Sequence, residues 1–546
     1  MATDVERASQ DRAKDIKPAS TYDVTSIKPT AVEATHDLDA AEIFLREHNY
    51  TADQIEELLA DGPRQRRLVR KIDMVVLPLL AVTYVLQYID KQAMGYAAVF
   101  DLFESTGTNQ TQYGWMASIF YLAYLVSNYP WVALAQRTRM GKVVAGCVLA
   151  WGSVLMLTAL CHNFPGLAAC RFLLGFFESP ITTCFMMTVA MWYTRSESPF
   201  RAGIFYCCNG VGSMLGGIFS YGIGHIESFA VWKAIFLVTG GLTVLWGIVL
   251  LLFFPDSILT AKFFTNEEKA LLIGRARLAK TGVLNQHIRF YQIREAFADP
   301  QVWLLVFYTL LNETVNGGVA NFGKLIVKGV ARSPIEATAL GIPQGAFQVF
   351  WILSGTYLAS RWIKRTTTMA LYLVPTIVGT CLMWKMDRQT DNGKVGVLLG
   401  YYCVGAYVAS LVLALQMPSV NLSGYTKRIT ASAMVFSAYC AGNIIGPHAF
   451  LAEEAPLYPT GCKVILACVI GQVITAGALR LLLVKRNKDR EAAQVALGVA
   501  LETQGEEAVD LTDFENPHFR YVYQVFATLV RTLCVCVLSF GGPEDS

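Results

Sequence analysis

The sequence predicts an all-α membrane protein: twelve transmembrane helices in two six-helix halves. Three observations carry that reading. Of the 546 residues 54% are hydrophobic and only 16% charged, and the apolar residues gather in runs of about twenty, the length that spans a bilayer as a helix. Lys and Arg crowd alternate inter-run loops, as the positive-inside rule demands. The longest inter-run segment, 254–300, is charged and leaves six runs on each side.

In chain order, residues 1 to about 60 are polar, with Lys17-Pro18 and Lys28-Pro29; the first 35 or so read as a disordered tail. Two short helices follow. The second opens at Thr51 with Gln54 three residues on, as in a capping box, and Gly62-Pro63 is expected to end it. A basic cluster, Arg64, Arg66, Arg67, Arg70 and Lys71, then stands before the first span and holds that end in the cytosol. The spans fall near 73–98, 112–134, 143–161, 166–190, 202–225, 232–254, 301–322, 339–360, 369–386, 395–418, 428–450 and 462–484. The turns Arg137/Arg139/Lys142, Arg195/Arg201, Arg361/Lys364/Arg365, Lys427/Arg428 and Lys485/Arg486/Lys488 all fall on the side of the N-terminus. Lys385, Arg388 and Lys394 lie opposite, diluted by Asp387 and Asp391.

The expected divisions are a cytosolic tail (1–63), a first half (64–254), a cytosolic loop (255–300), a second half (301–484) and a cytosolic tail (485–546). Basic turns recur after the second and eighth spans, which suggests an internal repeat. A further apolar run, 524–540, is broken by Arg531; it reads as a surface-lying or disordered segment rather than a thirteenth span. The first apolar run starts too late for a cleaved signal peptide.

Several function classes are excluded. Thirteen Cys are scattered without zinc-like spacing, and no HExxH, nucleophile-elbow or Walker-type loop is present. The chain is therefore read as no enzyme and no ATP-driven pump, with no cofactor, metal or nucleic acid.

Candidate site residues are the polar groups inside apolar runs. Arg171 and Glu178 interrupt the fourth span; seven apart, they share a helix face about 10 Å apart along the axis. Such a pair marks a substrate or proton path, or else a structural ion pair between helices. In the first span Tyr84, Gln87, Tyr88, Asp90 and Lys91 break the apolar pattern. Adjacent Asp90 and Lys91 cannot share a face, so one can meet neighbouring helices while the other meets a cavity. Asp90 lies about 25 Å up the helix, a depth at which it could pair with Arg171. The second half offers mostly neutral groups: Asn312, Glu313 and Asn316 in the seventh span, Gln344 and Gln348 in the eighth, Gln416 in the tenth and Asn443 in the eleventh. Asn312 and Asn316, four apart, are read as sharing the site-facing side, though a single amide is more often a helix-to-helix hydrogen bond than a ligand contact. Glycines recur along the fifth span, where another helix can approach closely.

These motifs resemble those of the major facilitator superfamily, and within it the fungal anion:cation symporters of the allantoate-permease-like group, over roughly residues 64–523. The matching segments are Gln87-Tyr-Ile-Asp90-Lys91, Arg171-Phe-Leu-Leu-Gly-Phe-Phe-Glu178-Ser-Pro180, Phe254-Pro-Asp-Ser257 with Ala261-Lys-Phe263 and Glu267-Glu268, and Asn516-Pro-His-Phe. The loop Ala135-Gln-Arg-Thr-Arg-Met-Gly-Lys142 departs from the superfamily pattern in lacking its acidic residue. The resemblance implies that Asp90 and Glu178 handle protons while Lys91 and Arg171 meet a substrate carboxylate. Tyr88, Asn312, Asn316, Gln348 and Asn443 complete the expected binding set. The expected function is proton-coupled import of a small organic carboxylate by alternating access, in the plasma membrane, as a monomer with both termini cytosolic. A non-transporting nutrient sensor on the same fold and an uncoupled facilitator are the rival readings.

Overall fold

The computed structural model describes residues 40–48, 50–194, 197–278, 289–361, 365–496, 511–516 and 519–521. The chain divides into two compact units, Met1–Glu57 and Leu58–Ser546. In the first, helix Ala40–Glu47 ends where the Tyr50 amide donates to the Leu45 carbonyl (2.9 Å). The capping box expected next forms: the Thr51 amide donates to Gln54 Oε1 (3.1 Å), and the Gln54 amide to Thr51 Oγ1 (3.4 Å). The tail expected to be disordered and the run 524–540 lie outside the described residues.

The second unit is a bundle of twelve helical spans among the described residues: Gly62–Val99, Gln110–Arg137, Met140–Thr158, Phe164–Trp192, Ser198–Ile223, Val231–Phe253, Pro300–Lys328, Pro334–Gly341 continued by Pro343–Arg361, Arg365–Lys385, Asp391–Asn421, Tyr425–Ala449 and Pro459–Ala496. They are called spans 1 to 12. Eight of them, including spans 1, 4, 6 and 12, are long and apolar enough to cross a membrane by length and composition alone. Span 1 corrects one expectation. Gly62-Pro63 opens this helix instead of ending the previous one: Asp61 caps it by accepting from the Arg64 amide (3.1 Å), and Pro63 occupies the first turn, where its missing N–H is harmless. The basic cluster is thus an extension of span 1 itself.

Span 4 breaks at Ser179-Pro180, because Pro180 cannot donate into the helix and so starts a new segment. Ser179 Oγ accepts from Ser127 Oγ (2.8 Å) and steadies the break. Glu178 therefore sits at the last turn of the upper segment. Spans 5 and 8 cross closely: a Cβ on Gly210 would lie 2.4 Å from Val349 Cγ2, and one on Gly345 2.5 Å from the Gly210 carbonyl oxygen. The glycine-rich fifth span is therefore a contact between the two halves.

The face at which span 1 begins and span 12 ends is called basal here, and its opposite distal. The inter-half segment serves both halves. Helix Asn266–Leu278 is tied to the first half by Lys71–Glu268 (2.6 Å) and Arg275–Glu197 (2.6 Å). Helix Phe290–Ala298 is tied to the second by Lys427–Glu295 (2.9 Å). Where the second loop lacks its acid, Asp256 after span 6 supplies one, accepting from the Lys142 amide (3.2 Å). The tail residues 511–516 and 519–521 fold back on the base of spans 11 and 12: Asp513 meets Lys427 (2.7 Å), and the Tyr521 amide and carbonyl bond Asn487 (3.0 and 2.8 Å).

The distribution of the core identifies the conformational state. One apolar cluster draws on both halves, joining Ala93, Tyr113 and Phe120 to Val315, Phe322 and Phe450 at the distal end. Another joins first-half residues such as Ile72, Val144 and Phe185 to Ala261, Phe264, Leu271 and Leu272 of the linker and takes none from the second half. Three more, around Leu305, Tyr308 and Val302, hold second-half residues, with Tyr521 of the tail, and none from the first. The hydrogen bonds that join the halves also gather distally: Tyr113 Oη to the Asn321 carbonyl (3.0 Å), Ser118 Oγ to the Ile444 carbonyl (2.8 Å) and Gln110 Nε2 to Tyr458 Oη (2.6 Å). The halves share a core at the distal face and part toward the basal one, so the structure is open to the basal side.

Candidate functional site

A cavity opens between the halves; its empty space, counted together with the solvent at its open mouth, is about 990 Å³. Span 1 contributes Tyr84, Gln87, Tyr88, Lys91 and Gln92; span 2 Phe120, Tyr121 and Tyr124; span 4 Arg171 and Thr182; span 5 Asn209. From the second half come Glu313 and Asn316 of span 7, Gln348 of span 8 and Tyr439 of span 11. A wall of tyrosines and amides with few charges orients a polar ligand while excluding most water.

Lys91 is the centre of the first-half wall. Its ammonium lies 3.6 Å from Glu178 Oε1 and 5.3, 5.5 and 5.8 Å from the ring centroids of Phe120, Tyr121 and Tyr124. The rings face it with their negative quadrupole, and one quarter of the side chain remains exposed. Glu178 is completely buried behind it; Oε1 also accepts from Gln87 Nε2 (3.0 Å), and among the described residues Oε2 has no hydrogen-bond partner. A cation open to the cavity thus stands in front of a carboxylate with a spare oxygen.

Asp90, the neighbour of Lys91, points the other way. Fully buried, its Oδ2 accepts from Trp151 Nε1 (2.7 Å) in span 3 and Thr243 Oγ1 (2.7 Å) in span 6. The pair Asp90–Arg171 considered from depth does not form: Oδ2 is turned to these two donors, and among the described residues Oδ1 has no hydrogen-bond partner. Arg171 reaches the cavity from span 4; its Nη2 is buried with no hydrogen-bond partner among the described residues, and the guanidinium lies 5.7 Å from the Phe236 ring centroid.

In the second half the structure sorts the expected amides. Gln348 Nε2 reaches Tyr88 Oη across the cavity (3.4 Å), so both line it. Asn316 lines it too, accepting from Tyr407 Oη (2.7 Å) and donating to Asn443 Oδ1 (2.9 Å). Asn312 does not reach the cavity: its amide donates to Gln472 Oε1 (2.8 Å) and the Tyr407 carbonyl (3.3 Å) inside the bundle. Asn443 stands one layer back, its Nδ2 donating to Glu313 Oε2 (2.6 Å). Sequence reasoning passed over Glu313 as a site residue. It lines the cavity fully buried, with Oε2 held by Asn443 and Asn316 and Oε1 without a partner. The signal was present, since Glu313 and Asn316 are three apart and share a face as well as any i, i+4 pair. The tyrosines of span 2, at positions 121 and 124, carried the same spacing. Among the described residues no cluster of His, Cys, Asp and Glu could hold a metal ion.

Twelve helices in two halves around a cavity lined from both define a multi-pass membrane transporter. The family comparison agrees: residues 80–447 match the model of the Major Facilitator Superfamily, and the chain belongs to that superfamily. Similar proteins include the uncharacterized transporter C757.13 of Schizosaccharomyces pombe, 34% identical with 86% of this chain and 91% of that protein covered. The allantoate permease of Saccharomyces cerevisiae is 32% identical over 86% of this chain and 89% of its own length. The thiamine pathway transporter THI73 of the same yeast is 28% identical over 94% and 99%. Among solved structures, the nucleoside transporter NupG superposes with a TM-score of 0.55 at 14% identity, covering 74% of this chain and 98% of that one. A bacterial homologue of the lysosomal transporter Spinster, inward-facing and occupied, gives 0.54 at 17% identity over 74% and 96%. At these identities the two structures speak for the fold alone.

Proposed function

We propose that this transporter imports a small organic carboxylate together with protons, as a monomer in the plasma membrane with its basal face cytosolic. The observation that carries the proposal is Lys91, open to the cavity with the buried Glu178 carboxylate 3.6 Å behind it. In the empty site the two charges balance. A substrate carboxylate that engages Lys91 and Arg171 competes with Glu178 for the ammonium, and a proton taken up by Glu178 then neutralises the carboxylate left behind. Anion binding and proton binding so favour each other, as linkage requires of any such coupling. Tyr88, Asn316 and Gln348 orient the rest of the substrate, with Asn443 and Asn312 holding span 7 from behind. Asp90 is a second proton-carrying candidate, one that meets Trp151 and Thr243 rather than the substrate. The similarity to an allantoate permease supports a carboxylate substrate of modest size.

One proton per monoanion makes transport electroneutral and driven by the pH gradient at about 1.36 kcal/mol per unit; a second proton adds about 2.3 kcal/mol per 100 mV. The test is uptake of radiolabelled allantoate, nicotinate and related carboxylates into proteoliposomes at two external pH values. Accumulation that grows with an inward proton gradient and collapses with a protonophore is expected. Uptake indifferent to both would overturn the coupling, and uptake of none of the panel the substrate class.

A further inference from the structure

One cation of the cavity region has no place in that scheme. Lys324 of span 7 is 6% exposed, and among the described residues no carboxylate lies within ion-pair distance of it. Its ammonium donates to Gln92 Oε1 and lies 4.4 Å from the Tyr96 ring centroid. Gln92, Gly95 and Tyr96 are i, i+3 and i+4 on span 1 and form one cradle on one face. Gly95 leaves the room for it: a Cβ there would lie 3.0 Å from Lys324 Nζ. A lysine buried at membrane depth without a counter-ion is a costly placement. A strut between the halves needs no charge, since a glutamine or methionine would fill the same slot.

Both contacts of Lys324 cross from the second half to the first. They stand within the closed distal gate, beside the Tyr113–Asn321 hydrogen bond and the Tyr113–Phe322 edge contact. Gln92, the acceptor, itself lines the cavity next to Lys91. We infer that Lys324 is a third substrate-binding cation, occluded by Gln92 and Tyr96 in this basal-open state and uncovered when the halves part distally, where it captures the anion before Lys91 and Arg171 take it. Parting of spans 1 and 7 strips Lys324 of both partners, and the freed ammonium must meet water or an anion. Closing returns it to Gln92, which requires any captured anion to have moved deeper. The same side chain therefore draws substrate in from one side only. The inference rests on the anionic substrate proposed above, but its first test does not.

Sealed proteoliposomes of one orientation are treated from the distal side with a membrane-impermeant amine acetylating reagent, and peptides are read by mass spectrometry. Slow acetylation of Lys324 is expected; its complete protection during prolonged incubation without substrate overturns the inference. Next, KM is measured for a transported carboxylate of the panel entering from each side. Lys324→Gln should raise the distal-side KM about tenfold or more, the loss of one charge-assisted contact, and leave the basal-side value within about twofold. Lys324→Arg should restore most of the affinity. Equal shifts from both sides, or the same loss in the Arg variant at parental thermal stability, would mark Lys324 as a strut. A parent acetylated at Lys324 that transports no carboxylate refutes the substrate class instead.

Discussion

Replacing Lys91 by Met should remove more than a substrate contact. At 3.6 Å and an effective dielectric constant of about 20, its attraction to Glu178 is about 4–5 kcal/mol. Without the ammonium, Glu178 stays buried with Gln87 as its remaining donor, and breaking a buried pair from one side typically costs about 3–5 kcal/mol. Glu178→Gln alone leaves Lys91 facing three aromatic rings, a milder loss because cation–π contacts and cavity water remain. In Lys91→Met/Glu178→Gln no unpaired charge is left, so the double variant should be more stable than Lys91→Met although it lacks one more native group. The assay is thermal unfolding in detergent of the parent, the two single variants and the double, with carboxylate binding measured in parallel. The expected pattern is a deep drop for Lys91→Met, partial recovery in the double, and weak binding in both. If the two losses simply add, the pair is not coupled and the linkage proposed for transport loses its physical basis.

Three further outcomes are expected. Glu178→Gln, a permanent mimic of the protonated side chain, should lose pH-driven accumulation yet still exchange labelled for unlabelled substrate across preloaded vesicles; accumulation at the parental level would make Glu178 structural. Gly175→Ala should destabilise the first half by about 1–3 kcal/mol, because the added Cβ would lie 2.2 Å from the Phe120 carbonyl oxygen; unchanged thermal stability would show that spans 2 and 4 slide apart freely. At the basal face burial raises the Glu268 carboxyl, but the Lys71 ammonium and Thr265 outweigh it and hold it below the usual 4.5. Its stabilisation, at most about 1 kcal/mol for so open a pair, is complete above pH 4.5 and lost as pH falls through the lower folded value, so Glu268→Gln should flatten the acid limb of the stability curve.

The fold was legible because membrane helices announce themselves: each expected span overlaps an observed one, with ends displaced by a few residues where helices continue past the apolar zone. Span 1 shows the limit. Its first eleven residues hold five basic groups and only Leu68, Val69 and Ile72 as large apolar side chains, so hydropathy does not register them as part of a span, and a Gly-Pro pair reads equally as a stop or a start until the Asp61 cap is known. The site was legible by halves. Lys91, Arg171, Tyr88, Asn316 and Gln348 all reach the cavity because charge and amide stand out in an apolar run. Asn312 and Glu313 could not be ranked the same way. Span 7 is buried on nearly every side, between spans 1, 11 and 12, so a polar residue on any face has a helix or a cavity to meet. Only the neighbours decide which, and here Gln472 claims Asn312 while the cavity claims Glu313.

The ion pairs at the basal face have a mechanical meaning. Lys71–Glu268, Arg201–Asp73 and Arg275–Glu197 belong wholly to the first half and its part of the linker. Lys427 with Glu295, Asp299 and Asp513, and Arg486 with Asp299, belong wholly to the second. Each set rides with its own half when the halves rock, so the work of switching falls on the amide and aromatic contacts of the distal gate. Apart from Lys324, those contacts are uncharged and nearly blind to ionic strength, whereas exposed ion pairs are screened by salt and buried ones far less. Raising salt on the basal side should therefore weaken the part-exposed pairs of the first half more than the buried Lys427 set of the second, without slowing the turnover between the two orientations.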